Sequence, residues 1–156
     1  MSRLPVKYFA VLAAFPLLAG VTASHAATGC GADLLKGTYV FTATGSTRPV
    51  TATPGTPWTP KSIIEVVTFN GDGSLTTPAV TVANPFGDTG GILQPATGGA
   101  PGAYIVNDDC TGRVHFFDAN GTMYSIYVEP PKGDSVWMIQ TNPLNNVIQG
   151  VAKRVS

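Results

Sequence analysis

A short aromatic-rich run, a turn built from Gly, Asn and Asp, and a second run recur along this chain. The clearest instances are Tyr39–Phe41, Phe69–Asn70–Gly71–Asp72–Gly73, Asp109–Cys110–Thr111–Gly112 and Asp118–Ala119–Asn120–Gly121. Asn and Gly accept positive φ at little cost, so each instance is a hairpin signature. Period-2 alternation between these turns predicts strands over 37–44, 62–69, 74–82, 103–106, 112–117, 122–128, 135–141 and 147–155. One helical turn over 32–36 is the only helical expectation. About eight strands joined mostly by short turns predict an all-β antiparallel meander closed into a small barrel, with a two-sheet β-sandwich as the alternative. Pro78 predicts an edge or a bulge in its strand. The stretches 45–60, with Pro49, Pro54, Pro57 and Pro60, and 83–101, rich in Gly and Pro, read as long loops.

The N-terminus reads as an export signal. Arg3 and Lys7 precede an apolar run from Phe9 to Val21, too short to span a membrane, and Ser24–His25–Ala26 offers small residues for cleavage after Ala26. The expectation is a signal over 1–26, one domain over 27–156 with no membrane span, and a periplasmic or secreted destination. Without Arg3 and Lys7 the chain carries seven basic against nine acidic residues, which argues against a nucleic-acid partner. Cys30 and Cys110 are the two cysteines, and in an exported chain they are expected to pair. They would close a loop of about 80 residues, worth on the order of 4 kcal/mol in the chain-entropy model.

Three segments in order, Leu35–Lys36–Gly37–Thr38–Tyr39–Val40–Phe41, Phe69–Asn70–Gly71–Asp72–Gly73–Ser74–Leu75 and Gly102 to Gly112 with its Asp109–Cys110, resemble the layout of a group of bacterial exported proteins of unknown function. The resemblance covers roughly the first two-thirds of the exported chain. It implies a small barrel of the calycin (lipocalin-like) or allene-oxide-cyclase kind with a central cavity. It implies no activity and carries over no catalytic residue.

Candidate chemistry is sparse. His115 is the one histidine beyond the signal, and no G-x-S-x-G elbow accompanies it, so neither a hydrolase triad nor a histidine metal site is expected. No metal and no cofactor are called for, because Asp72, Asp108 and Asp109 read as turn residues without the remaining ligands of a calcium loop. Asn120–Gly121–Thr122 fits a glycosylation sequon, yet the hairpin turn is sufficient explanation. Glu65 is the carboxylate well inside a strand. Facing inward, it would have a raised pKa or pair with Arg113 and could serve a cyclase or isomerase as acid or base; facing outward, it would be a surface residue. Tyr39, Phe41, Phe69, Tyr104, Phe116, Tyr124 and Trp137 either fill the barrel or line a cavity for a small apolar ligand. The readings are therefore a non-catalytic exported binding or envelope barrel, an interaction module using loops 45–60 and 83–101, and a barrel enzyme using Glu65.

Overall fold

Alternation of apolar and polar residues gives each strand of this chain one face to bury, and a curled sheet buries all of those faces against one another. The computed structural model describes residues 29–83, 92–93 and 100–156. The expected signal over 1–26 and most of the expected 83–101 loop lie outside the described residues. A 3-10 turn (Ala32–Leu34) precedes β1 (Lys36–Thr47), β2 (Thr59–Asn70), β3 (Ser74–Ala83), β4 (Ile92–Leu93), β5 (Ala100–Val106), β6 (Thr111–Phe116), β7 (Met123–Val128), β8 (Ser135–Asn142) and β9 (Asn146–Arg154). All pairings are antiparallel. Eight strands close a ring in the order β1, β2, β3, β5, β6, β7, β8, β9 and back to β1, with β4 added beside β3. The chain is an up-and-down β-barrel. The sandwich alternative is excluded by the seam in which Tyr39 to Thr47 of β1 pair with Arg154 to Asn146 of β9.

The first hairpin is longer than its prolines suggest. β1 runs to Thr47 and β2 starts at Thr59, so the expected 45–60 loop shrinks to 48–58. Pro60 stands opposite Ser46. It is tolerated because β2 pairs with β3 only from Ser62 onward, which leaves one side of the strand without a ladder to break. At Pro78 the expected bulge is present. Val66 pairs with Ala79 and Thr68 with Thr76, so Val67 faces two residues, Thr77 and Pro78.

The β2–β3 and β5–β6 turns are built alike, as Asn-x-Asp-x-Ser/Thr. Asp72 Oδ1 accepts from the Ser74 N–H (2.9 Å) and hydroxyl (2.6 Å), and Asn70 Nδ2 donates to Ser74 Oγ at 2.8 Å. Asp109 Oδ1 does the same with Thr111 (3.0 and 2.6 Å), and Asn107 Nδ2 donates to Thr111 Oγ1 at 3.1 Å. The Ser74 and Thr111 hydroxyls hold both carboxyls below the usual range. The fourth position of each turn is left-handed: Gly73 at φ +92° and Cys110 at φ +67°. A glycine is the ordinary occupant there. Cys110 takes it because its sulfur is bonded to Cys30, whose Cα lies 5.1 Å from its own. The expected disulfide thus ties the segment before β1 to the β5–β6 turn.

Candidate functional site

The barrel interior is layered from one end to the other. Tyr39, Phe41 and Ala43 of β1 stand opposite Val67, Glu65 and Ile63 of β2 on the inner face. Aromatic rings fill the middle edge to face: Tyr39 on Phe69 (5.1 Å between centroids), Phe69 on Tyr104 (5.0 Å), Phe41 on Tyr124 (5.5 Å) and Phe116 on Tyr124 (5.9 Å). Of the aromatics expected to line a cavity, Tyr39, Phe41, Phe69, Tyr104, Phe116 and Tyr124 are therefore inside and packed on one another. Trp137 faces out.

The end that carries the 3-10 turn is closed by hydrogen bonds. The Tyr39 hydroxyl donates to the Gly133 carbonyl at 2.7 Å and accepts from Arg154 Nε and Nη2 at 3.0 and 2.8 Å. Arg154 Nη2 also reaches the carbonyls of Leu34 and Lys132, each at 2.9 Å. The Tyr104 hydroxyl accepts from the Gly71 N–H at 3.0 Å and lies 2.8 Å from the carbonyls of Ala32 and Leu35. Burial raises the pKa of both phenols, with Arg154 opposing the rise at Tyr39. These two tyrosines are structural plugs.

Toward the opposite end the interior carries Glu65, Tyr124 and Lys61. Glu65 points inward from β2, while Ile64 and Val66 face out. No hydrogen bond joins its carboxyl to another described residue, and it keeps partial access to solvent. Burial, reinforced by the negative charge of Asp118, pushes its pKa up to about 8, so the carboxyl is protonated at neutral pH. Tyr124, buried beside it, has its phenol pushed up by burial and by the charges of Glu65 and Asp118. Lys61, further up the same face of β2, is lowered by burial, an effect that Asp118 opposes, and its Nζ donates to Asn146 Oδ1 at 3.3 Å. Asp118 itself is engaged in a turn, accepting from the Thr122 N–H (2.8 Å) and hydroxyl (2.6 Å).

The pairing of Glu65 with Arg113 does not form. Arg113 is an exposed outer-face residue of β6, between Ile105 of β5 and Ser125 of β7. Adjacent residues of a strand point to opposite faces, so Val114, which is fully buried, fixes Arg113 outside. His115 also lies on the outer face, edge-on to Phe117 at 5.0 Å, as its alternation with Val114 and Phe116 predicts.

A second candidate lies on the outer wall. A groove of about 900 Å³ crosses β2, β1, β9, β8 and β7. Its lining follows the register in a row: Ile64 beside Thr42, Thr42 beside Val151, Val151 beside Trp137, Trp137 beside Tyr127. The Trp137 and Tyr127 rings lie 6.1 Å apart, and Ile139 stands in the next row with Gln149 and Thr44. Gly150 lies in the floor, where a Cβ would run into the Thr42 carbonyl and lie 2.6 Å from the Ala43 Cβ. Of the seven aromatics expected to face a ligand, only Trp137 lines this groove. The signal for the rest of the lining was the outward member of each alternating pair, Ile64 on β2 and Ile139 on β8, apolar where a solvated wall is ordinarily polar. No protein-family model matches the chain, and no curated protein matches it.

Proposed function

We propose that this chain is an exported, non-catalytic β-barrel that binds a small apolar molecule, periplasmic or secreted, and that the ligand lies in the outer-wall groove. The observation that carries this reading is the groove itself: about 900 Å³, within the size range of small-molecule sites, with Ile64, Tyr127, Trp137, Ile139 and Val151 in its lining. Thr42, Thr44, Ser62 and Ser125 supply hydroxyls that can orient a polar group of the ligand. The packed aromatic interior supports the outside as the seat rather than the barrel centre. The test is a titration with an environment-sensitive apolar fluorophore, with Trp137 emission followed in parallel. Saturable binding that is lost in Trp137→Ala and Ile139→Ser supports the groove. Binding that is unchanged in both variants rejects it.

A second reading rests on Glu65. A protonated inward carboxyl beside a tyrosine phenol is the arrangement from which a cyclase or isomerase draws a general acid. Glu65→Gln leaving every turnover assay of candidate apolar substrates unchanged would remove this reading and leave the binding one intact.

A further inference from the structure

The two ends of the barrel differ in more than packing. At the end closed by Tyr39 and Tyr104, the turns and the segment before β1 carry six carboxylates, Asp33, Asp72, Asp108, Asp109, Glu129 and Asp134, against four cations at that end, Lys36, Lys132, Lys153 and Arg154. At the other end the described loops are 48–58, 117–122 and 143–145. Their only carboxylate is Asp118, and Arg48 and Lys61 stand on the same rim.

That rim is also apolar on three separate loops. Val50 and Leu144 are 84% and 83% exposed, Phe117 53% and Trp58 41%. Val50 and Leu144 bury almost nothing, while Trp58 and Phe117 each leave about half of their surface in solvent. The loops are fixed relative to one another. The Arg48 N–H donates to the Asn145 carbonyl (3.0 Å), and Asn145 Nδ2 returns a bond to the Arg48 carbonyl (2.9 Å). Asn142 Nδ2 bridges to the Gly121 carbonyl at 2.7 Å, joining the third loop. Arg48 lies over the Trp58 ring, 4.6 Å from its centroid. A tryptophan beside an arginine, among exposed aliphatic tips, is the composition of a membrane–water interface, where the ring enters the headgroup layer and the cation meets lipid phosphate.

We propose that this rim docks the barrel, mouth first, onto an anionic lipid surface. Val50, Trp58, Phe117 and Leu144 enter the headgroup region, Arg48 faces its phosphates, and the end richer in carboxylates points away. The unequal charge of the two ends orients the approach, since an anionic surface repels the end where carboxylates outnumber cations six to four.

The chain contains two tryptophans, Trp58 and Trp137. In a Trp137→Phe protein, emission therefore reports Trp58 alone, and the exchange is on the exposed outer wall. The experiment adds phosphatidylglycerol/phosphatidylcholine vesicles to this protein and to the unmodified chain. It follows Trp58 emission and co-sedimentation. The expected result is a blue shift and pelleting with anionic vesicles, both weakened by salt. Combining Trp58→Ser with Leu144→Ser should reduce partitioning about tenfold or more, with an unchanged circular dichroism spectrum. Three results would overturn the proposal: no pelleting at low salt, pelleting that the double variant leaves intact, or a Trp58 response to a protein partner with none to vesicles.

Discussion

Arg154, near the end of the last strand, donates two hydrogen bonds to the hydroxyl of Tyr39, near the start of the first, and stands directly opposite it in the ladder. The phenol donates its own hydrogen bond to the Gly133 carbonyl, so one oxygen links the barrel seam to the β7–β8 turn. Tyr39→Phe keeps the ring and removes that oxygen. The expected loss is about 1–3 kcal/mol in urea unfolding, because a half-buried guanidinium and a carbonyl lose a shared partner. A loss below a few tenths would mean that water replaces the phenol oxygen without penalty.

Glu65 makes stability fall as pH rises. Its folded pKa, about 8, lies above the ordinary 4.5, so the folded state keeps a proton that the unfolded state has released. The contribution is whole below about pH 4.5, declines through the interval up to about 8, and is level beyond it. The slope should approach about 1 kcal/mol per pH unit within that interval. Glu65→Gln should flatten it. Thermal midpoints from pH 5 to 9 for both proteins decide the matter, and parallel curves would place the titration elsewhere.

The left-handed turn position makes a comparison of cysteine replacements informative. Removing the bridge through Cys30→Ser should cost about 2–4 kcal/mol. In that background Cys110→Gly should be more stable than Cys110→Ala by about 1 kcal/mol, since φ is +67° there. Equal stability of the two would show that the turn relaxes out of the left-handed region once the bridge is gone.

Gly150 allows β9 and β1 to lie close beneath the outer groove. Gly150→Ala puts a methyl group against the Thr42 carbonyl and the Ala43 side chain, for an expected loss of about 1–3 kcal/mol. Apolar-probe binding in the groove should fall with it, because the floor shifts. Unaltered stability and binding would show that the two strands separate freely at this point.

Much of the fold was legible because its signals are local. Asn70–Gly71–Asp72–Gly73 and Asp109–Cys110–Thr111 turn the chain by their own side-chain bonds, and the alternation of Val114 and Phe116 with Arg113 and His115 sets faces without help from distant residues. Pro78 marked its bulge in the same way. What could not be read is what a strand's two sides meet. Ile64, Glu65, Val66 and Val67 form a run in which either parity is apolar enough to be buried, so the inward turn of Glu65 is decided by its neighbours: Phe41 across β1 and the ring of strands beyond. The same ambiguity hid the outer groove. Trp137 looked like an interior aromatic from type alone, but its neighbours in sequence, Val136 and Met138, occupy the inside.

The seam between β1 and β9 also sets a schedule. A chain whose β9 has not yet formed has two unsatisfied ladders, one on β1 and one on β8. Contacts such as that of Tyr39 with Arg154 join residues 115 apart in the chain, so closure is expected to be slow. Until it arrives, both ladders are templates for another copy of the chain. Conditions that delay the final strand therefore govern how much of this protein reaches its barrel and how much is lost to aggregation.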